Sequence, residues 1–349
     1  MMLLFLTLLS WDDTKQMKVS SIIQGLPAGI NSSDNISFVT NDHTFYHILA
    51  TMRMLSYDTK IFSILPDFTS EMIDDVLEGI DGSDILFTPI QLIYEKNLSW
   101  KALLGRVKFL VVVTYDPPLS HMMCNHGNYM VYYDFVNFIE CADILIPVRY
   151  GDYVIMKSIL RSAVDKISYV PVYTDIYKDY ANRTNITRTS DILSYIGLYG
   201  SGKRLEKHIP IIRKFSDRIV HIFYPPSITE YAELISEQFP NVAIHSPLSA
   251  SEFLHILASC EFMVVPDSSE SAISPIAMAA CVRVPVFSVF SNLFAKVLFS
   301  DLMFGTVDDI DVKRLDSRVI EEAYYKVEQF SCSYLADTIE RKYNARYGL

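Results

Sequence analysis

Residues 262–289, FMVVPDSSESAISPIAMAACVRVPVFSV, place an apolar helical stretch between two short runs rich in β-branched residues. The first run, Phe262 to Pro266, and the second, Val284 to Val289, are typical of strands buried on both faces of a parallel sheet. Between them, Ser274-Pro275 is a helix start signal, with serine as the N-cap and proline at the first helical position. The segment therefore predicts a strand, a crossover helix and a second parallel strand.

The same alternation of strand-like runs and amphipathic stretches continues along the rest of the chain. Two of its helices carry capping boxes, Ser227-Ile-Thr-Glu230 and Ser249-Ala-Ser-Glu252. A polar, β-poor segment at residues 174–190 divides the remaining strand-like runs into two groups. The runs before this segment are Lys18 to Gln24, Lys60 to Leu65, Asp84 to Thr88, Val107 to Thr114, Asp143 to Pro147 and Ser168 to Val172. The runs after it are Ile192 to Gly197, Ile219 to Tyr224 and Asn241 to His245. The pattern predicts an α/β protein with two facing Rossmann-like lobes, in which helices cover parallel sheets and ligands bind at the carboxyl ends of the strands.

The length of 349 residues agrees with two domains at roughly 150 residues each. We expect an apolar extension at residues 1–16, a first lobe at residues 17–173, a linker at residues 174–190 and a second lobe from residue 191 onward. The extension has about half of the ~20 residues that a membrane-spanning helix needs. It either adds nothing to the fold or makes a weak peripheral contact with a membrane surface.

The charge balance and the cysteines restrict the class of partner. Lys and Arg total 30 and Asp and Glu total 41, which gives a formal net charge of −11. Nucleic acid is therefore not an expected partner, whereas a local basic pocket for a small phosphorylated ligand remains open. The five cysteines are scattered, without a CxxC pair. This usage predicts neither a disulfide framework nor a metal site, and it fits a reducing, cytoplasmic environment.

A glycine-rich turn, GLYGSGKR at residues 197–204, follows the first strand-like run of the second lobe. Its spacing matches that of a phosphate loop, but Arg204 stands where such loops have the hydroxyl that holds Mg²⁺. Backbone amides and cations together predict a diphosphate site that needs no metal, formed by Gly197, Gly200, Gly202, Lys203, Arg204 and Lys207. A simple turn followed by a solvated basic helix face explains the same residues.

The loop after the run Phe262 to Pro266 carries a second candidate group. Glu270 lies at the carboxyl end of this strand, where a carboxylate can accept hydrogen bonds from sugar hydroxyls. The residues that follow are small, so the backbone amides of Ala272 to Ser274 can face a bound phosphate. In an alternative interpretation, Glu270 is an exposed loop charge and Ser271 and Ser274 are helix caps.

From about residue 191 to residue 347, the order of motifs resembles the nucleotide-binding half of the retaining GT-B-fold glycosyltransferases of the group 1 family, often called family four. The resemblance rests on IGLYGSGKRLEKHIPIIRKF, RIVHIFYPP, NVAIHSPLSASEFLHILASCEFMVVPDSSE and AMAACVRVPVF. Near the end, VEQFSCSYLADTIERKY is similar to the last helix of that family, which crosses back to the first lobe. The resemblance implies a nucleotide-sugar-binding lobe at residues 191–325, a crossing helix at 326–349 and an acceptor lobe at 17–173, which agrees with the family only in layout.

The residues of the donor site differ from the pattern of that family. The family has two glutamates separated by seven residues, of which the first holds the sugar and the second holds the nucleotide ribose. The resemblance places the first at Glu270 and the second at Met278, whose thioether cannot bind a ribose diol. Ser271 and Ile273 stand at the family's glycines after the first glutamate. Arg283 replaces the glycine before the closing Val-Pro.

Two segments of the first lobe resemble the acceptor side of the family. Tyr115 and Asp116 end a strand where the family commonly has a histidine and an acidic residue near the reacting sugar, so Tyr115 replaces the histidine. The loop Gly25-Leu-Pro-Ala-Gly29 resembles a glycine loop at which the acceptor meets the donor phosphate. A simple turn explains this loop equally well, so a role for Gly29 rests on the resemblance.

The resemblance implies a metal-independent glycosyltransferase that moves a sugar from a nucleotide diphosphate to a glycan, lipid or protein acceptor and retains the anomeric configuration. The family's basic pair corresponds to Lys203 or Arg204 and to Lys207, which stabilise the departing diphosphate, while Glu270 orients the sugar. No cofactor is expected besides the donor substrate. Two alternatives remain open: a non-catalytic relative that binds a sugar or a protein, and a phosphate-loop nucleotidase with Asp267 as its acidic metal ligand.

Overall fold

The chain forms two compact units, Met1–Pro171 with Cys332–Leu349 and Val172–Ser331. The structure is a computed structural model that describes residues 18–24, 58–64, 78, 83–89, 105–114, 141–147, 150–159, 161–169, 174–196, 206–223, 229–245, 250–267 and 273–348. The helices in these ranges are α1 (Tyr150–Ile159), α2 (Thr174–Arg183), α3 (Ile209–Lys214), α4 (Thr229–Gln238), α5 (Ala250–Ser259), α6 (Ile273–Cys281), α7 (Leu293–Leu298), α8 (Ser317–Lys326) and α9 (Cys332–Tyr347).

The first unit contains a parallel sheet. Its five strands are β1 (Lys18–Gln24), β2 (Asp58–Ile64), β3 (Ser83–Pro89), β4 (Val107–Thr114) and β5 (Ile144–Pro147). They lie in the order β2-β1-β3-β4-β5, and all pairs are parallel. Residues Phe109 to Val113 of β4 are at most 2% exposed, because a strand in a helix-covered parallel sheet is buried on both faces.

The last strand expected in the first lobe, Ser168 to Val172, is not formed by the residues of this run that the structure describes. Instead, Ile167 makes a single parallel bridge to Leu145. The ring of Tyr169 is buried and lies edge-on to Tyr150, with 5.3 Å between the ring centroids. The prediction of a strand here is wrong for residues 168 and 169, because the aromatic side chain packs against a helix and not within a ladder.

The C-terminal helix α9 belongs to the first unit. The ring of Tyr343 lies edge-on to Phe109 of β4, with 6.0 Å between the ring centroids, and its hydroxyl donates to Asp84 of β3 at 3.1 Å. One turn further, Arg346 forms an ion pair with Asp143, which directly precedes β5. The helix therefore packs across three neighbouring strands of this sheet.

The second unit is built on a six-stranded parallel sheet. Its strands are β6 (Ile192–Ser194), β7 (Val220–Phe223), β8 (Val242–His245), β9 (Phe262–Val265), β10 (Val286–Val289) and β11 (Met303–Phe304). The order β8-β7-β6-β9-β10-β11 is the 3-2-1-4-5-6 order of dinucleotide-binding folds, and its direction reverses between β6 and β9. The predicted α/β class, with parallel sheets covered by helices, is confirmed.

The segment expected as a linker, residues 174–190, lies within the second unit and begins with helix α2. This helix packs against α6. Its Lys178 forms an ion pair with Glu328, and the same ammonium lies 4.1 Å from the centroid of the Tyr324 ring. The polar residues at the start of the segment thus form a helix of the second unit.

Helix α6 follows β9 and is the most buried helix of the second unit that the structure describes. Its buried residues are Ile273, Pro275, Ile276, Ala277, Met278, Ala279, Ala280 and Cys281. Because the helix begins at Ile273, Ser274 lies in the first turn and is not the N-cap, so the predicted start is wrong by two residues. Pro275 fits this position because the first N–H groups of a helix have no intrahelical partner. The serines of the two capping boxes, Ser227 and Ser249, lie outside the described residues.

The carboxyl end of α6 is held by two arginines. The guanidinium of Arg188 donates to the carbonyl oxygens of Val282 at 3.2 Å and of Arg283 at 2.6 Å. Arg283 has a φ of 57°, a left-handed conformation that costs a non-glycine residue about 1 kcal/mol or more. Its side chain donates to Glu321 at 2.8 Å and lies 3.7 Å from the centroid of the Tyr324 ring. These contacts offset the cost of an arginine where glycine is the usual residue.

Replacing Arg188 with alanine is expected to lower the free energy of unfolding by roughly 1–3 kcal/mol, because two carbonyl groups lose a charged donor. Urea denaturation monitored by circular dichroism measures this change. Arg183→Ala is the matched control, since Arg183 forms an exposed i,i+4 pair with Asp179 and such pairs contribute about 0.5 kcal/mol or less. Equal losses for the two variants would contradict the assigned role of Arg188.

Candidate functional site

The two loops singled out by the sequence begin at adjacent strand ends of the second unit. Strands β6 and β9 pair directly, with Ser194 opposite Val264. The chain leaves β6 toward the glycine-rich turn and returns at a helical turn, residues 206–208, before α3. It leaves β9 through Pro266 and Asp267. Both segments therefore lie at the point where the strand order reverses, which is where ligands bind in open parallel sheets.

An ion pair joins these two segments. The ammonium of Lys207 donates to the Asp267 carboxylate at 3.0 Å, and the lysine side chain is 42% exposed while the aspartate side chain is 6% exposed. The amide of Asn292, which caps α7, donates to the main-chain carbonyl of Asp267 at 3.5 Å. The buried carboxylate thus holds a partly exposed ammonium at the carboxyl edge of the sheet.

A buried histidine anchors the turn that carries this lysine. His208 is fully buried, and its Nδ1 lies 2.7 Å from the hydroxyl oxygen of Ser194 at the end of β6. Burial lowers the pKa of His208 from 6.5 to about 3, so the ring is neutral near pH 7. The Nε2 atom has no hydrogen-bond partner among the described residues. Because His208 directly follows Lys207, its bond to Ser194 fixes the start of α3 relative to β6.

A cavity of about 360 Å³ opens beside the ion pair. It lies at the carboxyl ends of β9, β10 and β11, and its lining includes Lys207, Asp267, Phe290, Ser291, Phe304 and Gly305. Phe290 is 60% exposed, whereas Phe304 is 2% exposed. The cavity therefore combines an ammonium, a carboxylate, a hydroxyl and one accessible aromatic ring.

Four of the site residues predicted from the sequence fall in the described part of the chain. Lys207 lies at the ion pair. Ile273, Ser274 and Met278 are on α6, where Ile273 and Met278 are 8% and 6% exposed and Ser274 is half-buried. The burial of Met278 fits its apolar character. The others lie outside the described residues, and their roles stay predictions: Gly29, Tyr115, Asp116, Gly197, Gly200, Gly202, Lys203, Arg204, Glu270, Ser271 and Ala272.

Some contributors to this site were not predicted from the sequence. His208 and Ser194 carry no motif, and only the burial of both residues identifies their bond. Phe290 directly follows a strand, and this position does not distinguish it from other aromatic residues in the sequence. The sequence offers Asp267 only as the metal ligand of a nucleotidase, whereas its carboxylate binds the Lys207 ammonium in the structure.

Three further features are absent from the described residues: a metal-binding cluster, a membrane-spanning helix and a disulfide. No three His, Cys, Asp or Glu side chains in the described ranges lie close enough together to hold a metal ion. None of the described helices has both the length and the hydrophobicity needed to cross a bilayer. Of the described cysteines, Cys141, Cys260, Cys281 and Cys332, none forms a disulfide.

No protein-family model and no curated protein sequence matches the chain. Among solved structures, a glycosyltransferase from Rickettsia africae ESF-5 is 13% identical, with a TM-score of 0.63 over 95% of this chain and 98% of that chain. An alpha,alpha-trehalose-phosphate synthase (UDP-forming) from Burkholderia xenovorans, in complex with glucose-6-phosphate, is 9% identical, with a TM-score of 0.61 over 93% and 99% of the two chains. A putative UDP-N-acetylglucosamine 2-epimerase from Listeria monocytogenes is 13% identical, with a TM-score of 0.52 over 95% and 97%. At these identities the likeness is one of fold.

Proposed function

We propose that the protein is a glycosyltransferase that moves a sugar from a nucleotide diphosphate to an acceptor and needs no metal ion. The observation that carries this proposal is the Lys207–Asp267 ion pair, at 3.0 Å, where the strand order of the second sheet reverses. The fold shared with glycosyltransferases of similar length supports it. The sequence motifs around Glu270 and the glycine-rich turn support the same reaction.

The proposed chemistry is stabilisation of the leaving group. As the bond between the sugar and the diphosphate breaks, negative charge grows on the phosphate oxygens, and a fixed ammonium at Lys207 lowers the energy of that state. Lys203 or Arg204 in the glycine-rich turn adds a second cation. The start of α6 contributes the positive end of a helix dipole. Asp267 keeps the ammonium in position, since a buried carboxylate holds its cation more firmly than water does.

Metal independence is part of the same proposal. In a nucleotidase, the acidic residue at position 267 would bind Mg²⁺ and a loop hydroxyl would complete the site. Here Arg204 stands at the hydroxyl position and the Asp267 carboxylate already has an ammonium partner. Lysine can neutralise phosphate charge without a metal, so these two features favour a transferase over a nucleotidase.

The substrate groups are assigned from the family resemblance. Glu270 orients the donor sugar through its hydroxyls, and the sugar is transferred with retention of the anomeric configuration. Gly29, Tyr115 and Asp116 lie on the acceptor side, and the acceptor is a glycan, a lipid or a protein. Met278 stands at the position of the family's second glutamate and is apolar and buried. The ribose is therefore held by groups other than the side chain at this position. The same position favours the second candidate function, which is binding of a nucleotide sugar without turnover.

A thermal-stability screen with UDP-, GDP- and ADP-sugars tests the proposal, because a ligand that binds only the native state raises the melting temperature. We expect one nucleotide class to stabilise the protein and its sugar to be transferred or slowly hydrolysed in the presence of EDTA. Binding without any turnover would support the second candidate. Mg²⁺-dependent hydrolysis of ATP or GTP, without stabilisation by nucleotide sugars, would contradict both.

A further inference from the structure

Phe290 is a large apolar side chain that stays exposed in the lining of the cavity beside the ion pair. Large apolar side chains that stay accessible in a concave, partly polar site are typical of ligand contacts. Phe290 is 60% exposed, directly follows β10, and lines the same cavity as the Asp267 carboxylate and the Lys207 ammonium. The volume of about 360 Å³ is sufficient for a small ring, since small-molecule sites begin at about 300 Å³.

The wall of the cavity next to Phe290 is a closely packed turn. A Cβ atom added to Gly305 would lie 3.2 Å from the Asp309 carboxylate, so the glycine allows this close approach, and 3.9 Å from the Phe290 ring, which is an ordinary contact distance. Asp309 accepts hydrogen bonds from the Thr306 amide at 2.7 Å and from the Thr306 hydroxyl at 3.1 Å. These bonds connect the two ends of the turn that follows Gly305.

We propose that this cavity binds the sugar ring of the donor, with Phe290 as the residue that contacts the apolar face of the ring. The inference rests on the proposed function, because it assumes that the diphosphate lies at Lys207. In a nucleotide sugar, the sugar is attached to the terminal phosphate. Lys207 and Phe290 line the same cavity, so a sugar attached to a phosphate at Lys207 can reach the Phe290 ring.

The chemistry of the lining fits a pyranose and not an extended apolar ligand. One face of a pyranose carries C–H groups, which pack on an aromatic ring, while its edge carries hydroxyls that donate to carboxylates and accept from ammonium groups. Phe290 offers the first kind of contact, and Asp267 and Lys207 offer the second. Ser291, also at the lining, adds a hydroxyl that both donates and accepts.

The test compares each nucleoside diphosphate with its sugar conjugate, using UDP and UDP-glucose, GDP and GDP-mannose, and ADP and ADP-glucose. Isothermal titration gives the dissociation constants for the wild type and for Phe290→Ala. We expect Phe290→Ala to weaken binding of the sugar conjugate about tenfold, because an aromatic contact is lost, and to leave binding of the free diphosphate unchanged. Phe290→Tyr keeps the ring and should restore the wild-type affinity.

The matched control is Tyr325→Ala, because Tyr325 is an aromatic residue on α8 that is 69% exposed and belongs to the same unit. It is expected to bind both members of each pair as the wild type does. If Phe290→Ala weakens neither ligand, or weakens the free diphosphate and the conjugate equally, the sugar subsite is refuted while the proposed function stands. If no diphosphate binds the wild type, the proposed function fails and the subsite assignment fails with it.

Discussion

Replacing Lys207 with alanine is expected to lower kcat/KM for sugar transfer by roughly 100- to 1,000-fold, the usual cost of losing one fixed group that stabilises developing negative charge. The ammonium lies at the carboxyl edge of the second sheet, 3.0 Å from the carboxylate that holds it. Lys207→Arg keeps a cation there and is expected to retain more activity than Lys207→Ala. Steady-state kinetics with the most stabilising nucleotide sugar measure both variants.

The same substitution removes the ammonium partner of the largely buried Asp267, so stability must be measured beside activity. Urea denaturation at neutral pH separates a folded, inactive variant from an unfolded one. Lys296→Ala is the matched control, because Lys296 is an exposed lysine on α7 of the same unit. Its kinetics should equal those of the wild type. Wild-type kinetics for a folded Lys207→Ala variant would show that the ammonium has no role in the reaction.

Acidification is expected to destabilise the protein because His208 is buried in its neutral form. The folded pKa of about 3 lies below the ordinary value of 6.5, so the unfolded chain binds a proton more readily than the folded one. The stability due to the neutral ring is complete above pH 6.5 and is lost as the pH falls toward 3. Each pH unit in this window costs about 1.4 kcal/mol, or roughly 2 kcal/mol at pH 5.

Urea denaturation at several pH values between about 7.5 and 5 measures this loss. A His208→Gln variant keeps an amide that can bond to the Ser194 hydroxyl and has no titrating group, so its stability should depend less on pH. His255→Gln is the control, because His255 is an exposed histidine on α5. Parallel pH profiles for His208→Gln and the wild type would contradict the assignment. NMR titration of the histidine rings gives a second readout, in which one ring should stay neutral throughout.

A second histidine adds to the same acid sensitivity. His245 of β8 stacks on His221 of β7, with 2.9 Å between His245 Nε2 and His221 Nδ1. Burial, and then the charge of His221, lower the pKa of His245. The stability that neutral His245 contributes is therefore also present above the ordinary histidine pKa, and it is lost as the pH falls. The pH dependence of the free energy of unfolding that remains in His208→Gln is expected to come partly from this histidine pair.

The strands were predictable from the sequence because most of them are buried on both faces. Runs such as FMVV of β9 read as strands without any alternation of polar residues. β11 was missed because its two residues, Met303 and Phe304, are too few to form a pattern. The run Ser168 to Val172 was wrongly predicted as a strand at residues 168 and 169. Aromatic residues are common in strands, and the sequence does not show that the Tyr169 ring packs against a helix.

The two loops of the site were predictable, but the contact between them was not. Lys207 and Asp267 are separated by 60 residues, and only the strand order, with β6 beside β9, brings their loops together. The hydrogen bond between Ser194 and His208 forms between two fully buried residues. The sequence around His208 does not show that this histidine is buried. The loops of the site are therefore encoded in local sequence, whereas the partners of its charges depend on the packing of the sheet.

A crystal structure with the nucleotide sugar that most stabilises the protein tests the central claim most directly. We expect oxygens of the terminal phosphate to lie within hydrogen-bond distance of Lys207 Nζ, at the carboxyl ends of β6 and β9, with the sugar ring against Phe290. A diphosphate bound away from Lys207, on another edge of either sheet, would contradict it.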